Sequence, residues 1–136
     1  MKEQFVPDLI QDFLQHVEIE RGRSVDTVRN YELYLTRFYD MMVPDLGHEM
    51  RASDISEEMI RKYRLRLNRM ETDEKGSRLT PITQSYYLIA LRGFLKYLAR
   101  RGIDSLDPSL VDLPKTHRSQ VTFLHLDEVQ DMLDVI

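Results

Sequence analysis

Ser24-Val25-Asp26-Thr27-Val28-Arg29-Asn30-Tyr31-Glu32-Leu33-Tyr34-Leu35-Thr36-Arg37-Phe38 combines a helix start, a buried aromatic stripe and basic side chains in four turns. Ser24 is a good N-cap, because its hydroxyl accepts a backbone N–H that the first turn leaves unpaired. Asp26 stands where the helix dipole favours negative charge. Val28, Tyr31, Leu35, Phe38 and Met42 recur at spacings of three and four, one face of a helix. Arg29, Asn30 and Arg37 fall off that face. The spacing predicts a helix from about Val25 to Met42.

Working outward, the same periodicity predicts three more helices. The first runs from about Pro7 to Glu20, with Leu9, Ile10, Phe13, Leu14 and Val17 inward and Gly22 available to close it. Pro44 to Ala52 reads as a loop containing Gly47. Another helix begins near Ser56, a cap followed by Glu57 and Glu58, and turns Met59, Ile60, Tyr63, Leu67 and Met70 inward before ending near Glu71. Thr72 to Arg78 is charged and aperiodic, an exposed loop. The last long helix opens at Thr80-Pro81, buries Tyr87, Leu88, Leu91, Phe94, Leu95 and Leu98, and is closed after Arg101 by Gly102. From Asp104 to Gln120 periodicity disappears and Pro108 and Pro114 interrupt helix formation, as in a linker. Leu124 to Leu133 begins a further amphipathic helix that is still periodic where the sequence stops. The only β-like run is Val121-Thr122-Phe123-Leu124.

Composition narrows the function. The chain has 136 residues, enough for one ordinary domain and a tail, and no cysteine, which excludes disulfides and cysteine-ligated metal. No apolar run approaches the length of a membrane span, and the N-terminus lacks the pattern of a signal peptide, so a soluble cytoplasmic protein is expected. The net charge of −4 is unevenly spread: −4 over residues 1–20, +5 over 21–101 and −5 over 102–136. A basic centre between acidic ends fits a nucleic-acid-binding core with tails that do something else; a merely solvated helical surface gives the same split. His16, His48, His117 and His125 lack metal-ligand spacing, Gly93 and Gly102 are isolated rather than part of a phosphate loop, and no nucleophile motif is present. No metal, cofactor, small-molecule substrate or catalytic residue is expected.

The pattern Ser24-x-x-Thr27-x-x-x-Tyr31-x-x-x-Leu35-x-x-Phe38 resembles the second helix of the core-binding domain of tyrosine recombinases, the phage integrases and Xer-type resolving enzymes. Thr83-Gln84-Ser85-Tyr86-Tyr87-Leu88-Ile89-Ala90-Leu91-Arg92-Gly93-Phe94-Leu95-Lys96-Tyr97 resembles the fourth helix of the same domain, with its Ala-Leu-Arg-x-Phe core. The two occur in order and at about the right separation, and the resemblance covers roughly residues 5 to 133. It implies an all-α fold, a four-helix SAM-like orthogonal bundle, over residues 1–103, an interdomain linker over 104–120, and the start of a catalytic domain over 121–136. In the family that domain commonly opens with a Leu-Thr-x-x-Glu helix start; here His125 takes the Thr position, which weakens the cap.

The resemblance further implies half of a clamp on double-stranded DNA, with the second and fourth helices turned to the major groove and its phosphates. Their polar faces supply the side chains for this. Arg92, Lys96 and Arg100 lie four apart and form a stripe that drifts about 40° per step, opposite Leu88, Leu91, Leu95 and Leu98. Ser85, Tyr86 and Ile89 extend it toward the N-terminus. Arg92 sits next to the core and has an equal alternative, holding a carboxylate or a loop carbonyl. On the second helix Arg23, Ser24 and Thr27 gather at an N-terminus that favours a phosphate oxygen, while Asn30, Tyr34 and Arg37 share a face. Thr27 could equally close a capping interaction with Ser24. Arg61, Lys62, Arg64, Arg66 and Arg69 are dense but spread around the third helix, and solvation or pairing with Glu57, Glu58 and Glu71 accounts for most of them. The family's nucleophilic tyrosine, arginines, lysine and histidines match no residue here, so the chain is expected to catalyse nothing. Its parent would act as a tetramer on two DNA sites. Two other readings stand beside this one: a helical protein–protein adaptor, favoured by the acidic ends, and a truncated integrase that regulates by occupying sites without cutting.

Overall fold

The computed structural model describes residues 4–19, 25–71 and 76–113. Four helices carry the fold: α1 (Val6–Ile19), α2 (Val25–Met42), α3 (Glu57–Arg69) and α4 (Pro81–Arg100). Short 3-10 turns at Val43–Asp45, Ala52–Asp54 and Pro108–Leu110 join or follow them. Among the described residues there is no strand, only two isolated bridges, Phe5 with Arg51 and Glu71 with Arg78. The expected all-α four-helix architecture is therefore the observed one. The helix expected after Leu124, the β-like run before it and the closing role of Gly22 lie outside the described residues.

Each helix end follows from its local chemistry. The Ser56 hydroxyl accepts the Met59 N–H at 3.1 Å and starts α3. Thr80 accepts the Thr83 N–H at 3.2 Å, with Pro81 immediately after it, and starts α4. The other end of α4 closes in a Schellman motif. Gly102 takes φ +75°, its N–H reaches the Ala99 carbonyl at 3.1 Å, and the Ile103 N–H reaches Leu98 at 2.9 Å. A side chain at 102 would be strained in that conformation, which is why glycine stands there.

α4 is the central helix: α1, α2, α3 and the turn at Pro108–Leu110 all pack against it. Tyr87, Leu88, Ile89, Ala90, Leu91, Phe94, Leu95, Tyr97 and Leu98 are all buried. Phe13 of α1 links three elements, with ring centroids 6.1 Å from Tyr31, 5.7 Å from Phe94 and 5.5 Å from Tyr97. Phe38 of α2 meets the edge of Tyr63 of α3 at 4.8 Å. Each such side chain contributes roughly 1.5–3 kcal/mol by leaving water. Gln84 is the one polar residue in this core among those described; its amide donates to Asn68 Oδ1 and to the Leu79 carbonyl, at 3.2 and 3.0 Å.

Two segments expected as simple connections are packed. The loop between α2 and α3 buries Met50 and Ala52, and backbone bonds tie it to the start of the chain, Val6 N–H to Met50 at 2.9 Å and Ala52 N–H to Gln4 at 3.0 Å. The stretch after Gly102 is aperiodic as expected, yet Ser105 donates to the Ala52 carbonyl at 2.8 Å and Val111 is 1 % exposed. The bundle therefore holds the chain down through at least Val111. Loss of periodicity marks the absence of a helix, not the absence of packing.

Candidate nucleic-acid interface

The expected contact residues fall into three places. Arg23 and Ser24 lie outside the described residues. Thr27, half-buried, stands in the first turn of α2. Asn30, Tyr34 and Arg37 follow along α2, and Tyr34 and Arg37 meet the N-terminal half of α4. There the Arg37 guanidinium donates from Nη1 to the Tyr87 hydroxyl at 2.5 Å. The Tyr34 ring lies 4.5 Å from the Tyr87 ring, tilted by 44°. The Tyr34 hydroxyl is pushed above its ordinary value by burial first, then by the neighbouring Tyr87 and Tyr86 hydroxyls, with Arg37 opposing the shift. Tyr34, Arg37, Tyr86 and Tyr87 thus form one cluster across two helices. Arg37 remains exposed at its surface, Tyr86 is 36 % exposed, and Asn30 is exposed two turns before Arg37 on α2. Ser85 turns its hydroxyl back to the Pro81 carbonyl at 3.0 Å, so its proton is committed to the helix and only its lone pairs face outward.

The stripe Arg92–Lys96–Arg100 behaves differently. Arg92 takes the structural alternative: Nε and Nη2 both donate to the Val111 carbonyl, at 3.2 and 3.0 Å. Burial lowers its pKa and Asp112 acts against that shift. Ile89, expected on the outward face, is only 7 % exposed. Lys96 is half-buried. Arg100 is exposed, but it lines a groove against α1 with Asp12, Gln15, His16, Ile19, Tyr97 and Arg101. The three basic residues therefore serve three surroundings and not one open face. A helical wheel assigns a solvent side to a helix; α4, surrounded by its neighbours, has little of one.

Two of the five basic residues of α3, Arg61 and Arg66, are held by partners. Arg61 pairs with Glu58 at 2.6 Å, as expected, and draws the Glu58 carboxyl below its ordinary pKa through the hydrogen bond. Arg66 finds a partner the sequence did not suggest, Asp45 at 2.9 Å, and also donates to the Met41 carbonyl at 3.0 Å. On α2, Arg29 pairs loosely with Asp26 at 3.6 Å, both side chains being exposed. Among the described residues no cluster of His, Asp or Glu could hold a metal ion, and no helix is long and apolar enough to cross a membrane.

Tyr87 is the residue that sequence reasoning assigned to the core alone. It is 2 % exposed, but its hydroxyl emerges at Arg37. Its residue type carried the signal: a tyrosine at a core position, where phenylalanine would pack as well, brings a polar tip that needs a partner. The partner's identity depends on how α2 crosses α4, which periodicity does not encode.

Residues 10–102 match the family described as phage integrase, N-terminal SAM-like domain. The chain belongs to that family. It is 31 % identical over 127 residues to the tyrosine recombinase XerD of Listeria monocytogenes, an alignment covering 93 % of this chain and 40 % of that protein. It is 26 % identical over 126 residues to the tyrosine recombinase XerC of Pelobacter propionicus, covering 92 % and 39 %. The chain thus spans about two fifths of the length of these curated relatives. The crystal structure of the N-terminal domain of a phage integrase/site-specific recombinase from Haloarcula marismortui superposes with a TM-score of 0.67 at 16 % identity, covering 84 % of this chain and all of that one, and so shares its fold.

Proposed function

We propose that this chain is the DNA-binding N-terminal domain of a site-specific tyrosine recombinase or integrase, and that it forms one half of a clamp around duplex DNA. Strand cleavage belongs to a catalytic domain of a longer, cytoplasmic parent that assembles as a tetramer on two sites. The observation that carries this reading is the α2–α4 cluster, where Arg37 is exposed and oriented by Tyr87 beside Tyr34 and Tyr86, with Asn30 exposed two turns before it on α2. An arginine fork suits a phosphate or the O6/N7 edge of guanine, and an asparagine amide suits adenine. Thr27, in the first turn of α2, continues this face toward phosphates, with Arg23 and Ser24 just before it in the sequence, and Ser85 borders it. Arg92 is assigned to the fold instead, and Arg100 to the groove against α1. The net +5 of residues 21–101 supplies the long-range attraction that the whole-chain charge conceals.

Fluorescence anisotropy of a labelled mixed-sequence duplex, titrated with the 136-residue chain at several salt concentrations, tests this directly. The expected result is salt-sensitive binding that Arg37→Ala weakens about tenfold, with the slope of log K against log salt reduced by about 0.9. A chain that does not bind duplex even at low salt, but sediments as a stable oligomer, contradicts the proposal and favours the adaptor reading.

A further inference from the structure

We infer that Tyr87 is a positioning residue for DNA contact: its hydroxyl and ring hold the Arg37 guanidinium in the orientation in which it meets the duplex. This inference rests on the DNA-binding reading of the α2–α4 face and adds to it a residue that does not itself face the DNA.

Arg37 is exposed, and a free arginine on a helix surface samples many rotamers and loses that conformational entropy on binding. Here that freedom is already restricted. The Tyr87 hydroxyl accepts from Nη1 at 2.5 Å, a short charge-assisted bond. Tyr87 is itself fixed, because its ring is 2 % exposed within the core of α4 and packs against Tyr34 at 4.5 Å. The anchor is thus more rigid than the group it holds. One donor of the guanidinium is used, and the remaining N–H groups stay available for a phosphate or a base edge. Contrast Arg92, whose Nε and Nη2 both turn inward to one carbonyl. A tyrosine hydroxyl at the rim holds an arginine at the surface; a buried carbonyl pulls one in.

Preorganisation of this kind contributes to affinity by reducing the ordering needed on binding, and leaves the number of charges unchanged. That distinction is measurable. Tyr87→Phe keeps the ring, its packing and the Arg37 charge, and removes only the hydroxyl. The expected result is a loss of duplex affinity of about five- to tenfold, the scale of ordering one rotamer-rich side chain on binding, with the salt slope unchanged. In an Arg37→Ala background the same substitution should have no further effect. A loss of equal size in both backgrounds would show that Tyr87 acts on the fold and not through Arg37, and would overturn the inference. If Tyr87→Phe binds like the parent while Arg37→Ala does not, the positioning role falls and the DNA-binding face stands. If Arg37→Ala also binds like the parent, this face is not the interface and both fall. A readout independent of DNA is the Arg37 guanidinium signal in proton–nitrogen spectra of the free chain. It should be sharp and shifted in the parent and collapse toward the free-arginine position in Tyr87→Phe; an unchanged signal contradicts the positioning.

Discussion

Two arginines that meet α4, Arg37 and Arg92, are handled in opposite ways. In the N-terminal half, Tyr87 meets Arg37 of α2 through a side-chain hydroxyl, and the guanidinium stays at the surface. In the C-terminal half, Arg92 meets the Val111 carbonyl with two donors and is half-buried by the chain that follows the helix. The amino-acid type is the same and the helix is shared. What differs is the acceptor and its depth. A carbonyl on a nearly buried residue needs the arginine as much as the arginine needs it, because a buried acceptor left unpaired is costly. A phenol hydroxyl at the rim makes no such demand. Counting basic residues along a helix therefore does not tell an arginine held at the surface from one drawn inward.

The contrast can be broken most forcefully at Arg92. Arg92→Ala strands the Val111 carbonyl and should cost about 2 kcal/mol, lowering the melting temperature by roughly 5–10 °C. Thermal unfolding followed by circular dichroism measures it. Duplex affinity of the folded Arg92→Ala chain should stay near that of the parent, and a large loss of affinity without a loss of stability would return Arg92 to the interface. Next in size is Arg37→Ala. Its melting temperature should barely move, since the side chain is exposed, while its duplex affinity falls by about 1.4 kcal/mol, the tenfold change expected for a lost phosphate contact. Tyr87→Phe should fall between the parent and Arg37→Ala in affinity. The smallest effect is expected at Tyr63, which supplies a control. Its hydroxyl is fully buried without a hydrogen-bond partner among the described residues, and burial raises its pKa. Tyr63→Phe removes a desolvated group that gains nothing, so stability should be unchanged or rise by up to about 1 kcal/mol. A clear destabilisation would mean that the hydroxyl is satisfied, and that core tyrosines here do not divide into partnered and unpartnered ones.

How far the chain was legible depended on the range of the interaction. The α2 span, the caps Ser56 and Thr80, Pro81 in the first turn of α4 and the closing Gly102 are local features, decided within about one turn, and all stand as read. The buried stripes of α1, α2 and α3 were equally clear, because those helices bury one side. α4 is less so: a helix packed by neighbours on several sides carries no clean polar face, so Ile89, expected outward, is buried, and Arg92, open between DNA and a loop carbonyl in the sequence, takes the carbonyl. The packed stretch from Ser105 to Val111 was hidden for a related reason, since isolated residues such as Val111 anchor it without any repeat to announce them. Arg66 with Asp45 and Arg37 with Tyr87 join segments far apart in sequence, and only the crossing of helices brings them together.

The central claim is that DNA meets α2 and the N-terminal half of α4, not the basic stripe farther along. An NMR titration of the 136-residue chain with a mixed-sequence duplex, at low and moderate salt, addresses it residue by residue. Salt-sensitive shifts should cluster at Asn30, Tyr34, Arg37, Tyr86 and Tyr87, with Arg92 and Arg100 nearly still. Shifts centred on Arg92 to Arg100 or on the groove against α1, or no shifts at low salt, would contradict the account.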